Sequence, residues 1–213
     1  MSVESSASHE LMKSRVAILG TLAELHREPI RYDLKTLSQL VRDLKPDLLC
    51  AEIHPEDWRA GDSEKLSAEY REALVPLSRR TDIVIIPVSN SQGSFSFVPQ
   101  EGPLLGLRSL LVRMLTWELR LMQRLANGPR ALNSGFFGFM CDLNCALTAK
   151  VCGAETQATW DATNGGLVVN IQAAIRRDPG RRVLVTVDCR RRHRLVHDLS
   201  RSPELDIVDY FDL

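Results

Sequence analysis

The chain has 213 residues, 44% of them apolar, with 27 basic residues balanced by 27 acidic ones and hence no formal net charge. That length and apolar content support one substantial core in a single domain. The neutral balance gives no global reason to expect a nucleic acid or an anionic membrane as partner.

No apolar stretch is long enough to cross a bilayer, and the polar start from Met1 to Lys13 lacks the apolar centre of a signal peptide. The expected organisation is a flexible leader over 1–13 and one α/β domain over 14–213, in a cytoplasmic protein. The five cysteines, Cys50, Cys141, Cys145, Cys152 and Cys189, are odd in number and follow no framework spacing, which fits reduced thiols. Cys141, Cys145 and Cys152 share one helical face. Such a face offers a soft-metal site, but it suits core packing better, because free cysteine is among the most buried residue types.

In chain order, Arg15 to Thr21 reads as a strand, followed by Glu24 and His26. Asp33 to Lys45 carries Leu34, Leu37, Leu40, Val41 and Leu44 at helical spacing, and Asp47 to Ala51 is a second strand followed by Glu52 and His54. A strand, helix, strand unit of this kind has parallel strands, which places Glu24, His26, Glu52 and His54 on one sheet edge. Open α/β sheets bind their ligands at that edge. Ser63 to Arg80 is expected to be helical from Leu66, Tyr70, Leu74 and Leu77, and Ile83 to Val88 to be a buried parallel strand. Ser89 to Pro103 is the longest loop and leaves the edge that carries His26 and Glu52, so it is placed to cover them.

Leu104 to Leu125 is the strongest helix, with a stripe of Leu104, Leu107, Leu111, Leu115, Leu119 and Met122 expected to pack in the core. Further helices are expected over about 135–151 and 154–177, the second weakened or broken at Gly165 and Gly166. Arg181 to Val187 is a fourth strand, His193 to Leu199 lies in the helix after it, and Asp206 to Tyr210 is a short fifth strand. The fold class expected from this order is α/β: a mainly parallel sheet of about five strands flanked by helices, with a helical insertion over about 103–178 between strands three and four.

Gly20 and Thr21 at a strand end, a nearby His26, and then Pro46, Asp47, the strand Leu48 to Ala51 and Glu52 resemble the opening of the TraB/Tiki and erythromycin-esterase-like superfamily. The resemblance continues where Val168, Val169, Asn170 and Ile171 precede Arg181 to Val187 and then His193. The chain departs from that pattern in three places. Ala23 stands where the family has its first histidine, Asp188 to Arg192 replace a glycine-rich turn before His193, and Asn164 lies near the position of a customary arginine.

The resemblance implies hydrolysis of an ester, amide or peptide bond by a His and Glu constellation, acting either as base and orienter or as ligands of a divalent transition metal. A neutral imidazole can take a proton from water while a carboxylate holds its useful tautomer. His26, Glu52 and His193 are the candidates for both roles, since mixed imidazole and carboxylate ligation suits such metals. Glu52 is favoured because a carboxylate at the end of an apolar strand needs a partner. His54, ahead of Pro55, reads instead as part of a helix start. His193 and His197 lie one helical turn apart, a spacing that also arises by chance.

A second feature is cationic: nine arginines between Arg176 and Arg201 face three aspartates. Arg190 to Arg194 leave a strand and enter a helix, where arginine forks and backbone N–H groups favour an anion. Arg190 and Arg192, with Glu24 and Tyr32, are therefore candidate substrate contacts, set against the plainer reading of a solvated helix face. Two functions follow: a hydrolase of a small-molecule or peptide substrate, or a binding module on the same frame that recognises a peptide, protein or anionic ligand. Homodimerisation is expected through Phe136 to Phe139 and the helix from Leu104.

Overall fold

A computed structural model describes residues 13–93 and 95–213. The expected leader lies, but for its last residue, outside them. β1 (Ser14–Thr21) leads through a 3-10 turn at Ala23–Arg27 into α1 (Leu34–Leu44). Asp33 caps α1 by accepting from the Thr36 N–H at 2.8 Å, and Lys45 ends it in the left-handed region at φ 47°. β2 (Leu48–Ala51) and α2 (Pro55–Ala60) follow.

The segment expected as one helix over 63–80 is instead in pieces: a 3-10 turn at Ser63–Lys65, a π-helical turn at Glu69–Leu74, and α3 (Val75–Ser78). Pro76 supplies the reason, because it cannot donate to the carbonyl four residues back and its ring crowds that carbonyl. The widened turn just ahead of it absorbs the mismatch.

β3 (Val84–Pro87) is followed by α4 (Leu105–Leu125), α5 (Gly128–Leu132), α6 (Gly135–Cys152) and α7 (Ala154–Arg177), then by β4 (Arg182–Asp188), α8 (Cys189–Leu199) and β5 (Leu205–Val208). The helices α4 to α7 form the insertion between the third and fourth strands. α7 runs unbroken through Gly165 and Gly166. Gly166 lets Asn90 lie against the helix, where an added Cβ would meet the Asn90 Nδ2 at 1.8 Å. Among the described residues no helix is long and apolar enough to cross a membrane.

All five strands are parallel, in the order β3-β2-β4-β1-β5. Side chains alternate across the sheet. Ala17, Leu19, Leu49, Ala51 and Leu184 pack on one face with Leu37 and Val41 of α1 and with Tyr70, Leu74 and Leu77. Val16, Ile18, Leu48, Cys50, Val183, Val185 and Val187 pack on the other with Leu167, Ile171 and Ala174 of α7 and with Leu195 and Leu199 of α8. All five cysteines are free and buried.

β4 comes late in the chain yet lies between β1 and β2. The chain leaves β2 toward one face of the sheet and leaves β4, through α8, toward the other. Neighbouring strands whose connections part in this way open a crevice at their carboxyl ends, and that crevice lies between Ala51 and Asp188.

The expectation that the stripe on α4 packs in the core holds only in part. Leu119 is buried and Leu115 and Met122 are half-buried, but Leu104, Leu107 and Leu111 are exposed.

Candidate functional site

The crevice is filled by two interlocked ion pairs. Glu52, the residue after β2, accepts from the Asp188 backbone N–H at 2.8 Å through Oε2, and its Oε1 is ion-paired with Arg191 Nε at 2.9 Å. Asp188 ends β4 and caps α8, accepting from the Arg190 backbone N–H at 2.9 Å and from the Arg190 side chain at 2.6 and 2.9 Å. Burial pushes the Glu52 carboxyl above its usual range against the pull of Arg191. Burial opposes ionisation of Asp188 too, but the charge and hydrogen bonds of Arg190 outweigh it and hold that carboxyl low.

Arg191 is 2% exposed. Its Nη1 donates to Asn164 Oδ1 at 2.8 Å, and its guanidinium lies 4.4 Å from the centre of the Trp160 ring and 6.0 Å from that of Phe95. A buried arginine is tolerated only with its charge matched and its planes covered; Glu52, Asn164 and Trp160 do both. Tyr70 locks the strand ends from below, since its Oη accepts from the Glu52 N–H and donates to the Thr186 carbonyl, both at 2.9 Å.

Glu69 is different. It stands on the π-helical turn, 4% exposed, with Oε1 accepting from Thr21 Oγ1 at 3.3 Å. Its Oε2 is buried and has no hydrogen-bond partner among the described residues. Burial raises its pKa to about 7, and the charges of Asp188 and Glu52 push the same way against local hydrogen bonds. A carboxyl that changes charge near neutrality and keeps an unspent oxygen is equipped to move protons, and single π-helical turns recur where such groups are displayed.

Glu69 lines a pocket of about 60 Å³ together with Glu52, His54, Asp57, Lys65, Tyr70, Asp188, Arg190 and Arg191, and with Ser91, Gly93 and Phe95 from the long loop. That volume holds about two waters or the reacting end of a small molecule. The described part of the loop over 89–103 reaches this edge beside Glu52 through Ser91, Gly93 and Phe95, but does not line a site with His26. It is fastened by Phe95 and Phe97 packed on Trp160, and the Gln100 N–H donates to the Cys152 carbonyl at 2.9 Å.

Of the residues singled out in the sequence, Glu52, His54 and Arg190 line the pocket, whereas His26, His193, Arg192, Glu24 and Tyr32 do not. His26 is 1% exposed with both nitrogens committed to backbone. Nε2 accepts from the Leu22 N–H at 2.9 Å and Nδ1 donates to the Tyr32 carbonyl at 2.7 Å. Burial lowers its pKa to about 4, against the Tyr32 hydrogen bond and the Asp33 charge, so it is neutral at pH 7 and holds the turn after β1.

Tyr32 is a core residue packed edge-on against that imidazole, with ring centres 4.7 Å apart. His193 faces α6, where it packs against Gly138 and Phe139. Arg192 turns back to donate to the Ile18 carbonyl at 2.9 Å. Glu24 accepts from the Ala68 N–H at 3.0 Å and pairs with Arg27 at 3.0 Å outside the pocket. His54 lines the pocket while capping α2, its Nδ1 accepting from the Glu56 N–H at 3.3 Å.

The proposed metal triad of His26, Glu52 and His193 is therefore not assembled. Among the described residues no group of three or more His, Cys, Asp and Glu side chains is arranged to hold a metal ion.

Sequence reasoning missed Glu69, and it met Asp188, Arg191 and Asn164 only as departures from the family pattern or as part of an arginine run, not as members of the site. Glu69 did leave a signal: it falls three residues after Leu66 and beside Tyr70, on the apolar stripe of its segment, and an acid on a buried stripe needs a reason to be there.

Fold and pocket together define a parallel α/β protein with a buried acid poised at its switch point. No protein-family model matches the chain, and neither does any curated protein or solved structure.

Proposed function

We propose that this pocket hydrolyses an ester, amide or peptide bond of a small substrate, on a TraB/Tiki-like frame, with Glu69 as the proton carrier in place of a histidine. The observation that carries the reading is the buried Oε2 of Glu69, without a hydrogen-bond partner among the described residues, on a side chain that lines a pocket rich in fixed charges. Ionised above about pH 7, Glu69 takes a proton from water as that water attacks the substrate carbonyl carbon. The oxygen that becomes negative is met by guanidinium N–H groups of Arg190, which Asp188 holds in place before reaction. Protonated Glu69 then returns its proton to the leaving oxygen or nitrogen as the carbon bond to it breaks. Glu52 and Arg191 keep the pocket's shape and potential without touching the reacting atoms. In this reading the protein works in the cytoplasm as a homodimer.

The test is hydrolysis of a panel of small aryl esters and acyl anilides by the purified protein between pH 5 and 9. The rate should climb through about pH 7 and be lost in Glu69→Gln. A rate indifferent both to pH and to that substitution would overturn the assignment.

A second reading, recognition of a ligand without turnover, is favoured by one observation: His26 and His193, the histidines that the family resemblance singles out, are both held away from the pocket. Binding of a substrate-like amide with no product formed at any pH would select it.

A further inference from the structure

α4 carries two apolar seams. One is formed by Val112 and Leu119, the two buried residues of the helix, with Leu115 and Met122 half-buried beside them. It ties α4 to the molecule, with the Asn144 Nδ2 of α6 donating to the Leu115 carbonyl at 3.1 Å.

The other seam faces away from the molecule. Leu107, Leu110, Met114, Trp117 and Leu121 recur at alternating steps of three and four residues, and they are 54%, 53%, 59%, 67% and 39% exposed. That step is the repeat of a coiled coil. With Leu107, Met114 and Leu121 at the first core position and Leu110 and Trp117 at the second, Val112 and Leu119 fall on the side of the helix opposite the seam. The exposed seam is therefore a complete helix-pairing surface, about two heptads long. Its far end is marked by Arg124, whose side chain is paired with Glu28 at 2.8 Å.

The charges beside the seam select the partner and its direction. Arg113 occupies the flanking position ahead of Met114, and Glu118 the flanking position after Trp117; both are exposed, and among the described residues neither has an ion-pair partner. In a parallel pair of helices, the first flanking position of one chain meets the second flanking position five residues on in the other. Arg113 and Glu118 are five residues apart. An antiparallel pair would bring like charges together instead, Glu118 against Glu118 and Arg113 against Arg120. We infer that α4 pairs in parallel with α4 of a second copy of this chain about a two-fold axis along the helices, burying the Leu107 to Leu121 seam and exchanging two Arg113–Glu118 ion pairs. A two-fold interface uses the same patch on both copies, and this patch is self-complementary in both apolar repeat and charge. The pairing stands apart from the chemistry of the pocket, to which none of these residues belongs.

The experiment is sedimentation equilibrium of the full chain, with disulfide trapping of single cysteines placed in the seam. The native chain should sediment as a dimer. Trp117→Glu should make it monomeric with its far-ultraviolet circular dichroism unchanged. Glu118→Arg should weaken the dimer roughly tenfold by replacing two attractions with two repulsions, and the double variant Arg113→Glu with Glu118→Arg should restore it. Leu107→Cys and Trp117→Cys should each cross-link to themselves, as only a parallel pair allows both, and the five native thiols are buried and will not compete. A monomer at tens of micromolar, a dimer indifferent to Trp117→Glu, a charge swap that fails to restore pairing, or cross-linking at only one of the two positions would overturn the inference. Binding of the monomer to phospholipid vesicles through this seam would overturn it in favour of a membrane surface.

Discussion

Two buried polar groups flank the carboxyl edge of the sheet, and they have been put to opposite uses. Around His26 every ring nitrogen is matched, one to the Leu22 N–H and one to the Tyr32 carbonyl, and the imidazole is fixed in its neutral form. Around Glu69 one buried carboxylate oxygen has no partner among the described residues, beside a pocket where Asp188, Arg190, Arg191 and Glu52 already match one another. A buried polar group that is fully satisfied serves the fold. One that is buried and left open costs stability, and that cost is retained where chemistry needs it.

The largest effect is expected from removing the acidity of Glu69. Glu69→Gln keeps the shape of the side chain and should lower turnover by about 10²- to 10⁴-fold in steady-state assays. Next in size is the scaffold of the site: Arg191→Ala leaves the partly buried Glu52 carboxylate without its cation, held only by the Asp188 N–H, and should cost about 3 kcal/mol in urea denaturation.

The pH dependence separates the two acid and base groups further. Because the Glu69 pKa is raised to about 7 in the folded chain, the folded state holds its proton where the unfolded state has already lost it. Its contribution to stability is therefore present at low pH and lost as pH rises through the window from the ordinary carboxyl value to about 7. Glu69→Gln should accordingly gain stability over the native chain as pH rises to 8, by up to about 3 kcal/mol, and show no gain near pH 4. Smaller again is His26→Ala, which orphans one N–H and one carbonyl and should cost about 2–3 kcal/mol. Turnover per folded molecule should stay within about tenfold, whereas a collapse of turnover in a folded His26→Ala protein would return that residue to the mechanism.

Much of the frame is legible in the sequence because it is written locally. The apolar spacing of Leu34 to Leu44 and the β-branched runs of the strands fix elements within a residue or two, and Asp33 and Lys45 mark the ends of α1. The insertion of β4 between β1 and β2 is not legible, because no local pattern records which strands become neighbours. That single fact moves the site. It brings Asp188, Arg190 and Arg191 onto Glu52, and it leaves His26, on the far side of β4, to brace its own turn. Glu52 could be singled out because a carboxylate ending an apolar strand stands out in the sequence. Arg191 was hidden between two arginines that look the same, and only the packing of Trp160 and Asn164 distinguishes it. On α4 the apolar repeat was visible, but periodicity does not say which of two seams meets the core.

Every role assigned to the pocket depends on Glu69 exchanging its proton near neutrality. The most direct measurement is a carbon-13 NMR titration of its side-chain carboxyl in the intact protein, assigned by the signal missing in Glu69→Gln. The expected midpoint is about 7, coincident with the rise in hydrolysis. A midpoint in the ordinary carboxylate range would contradict it.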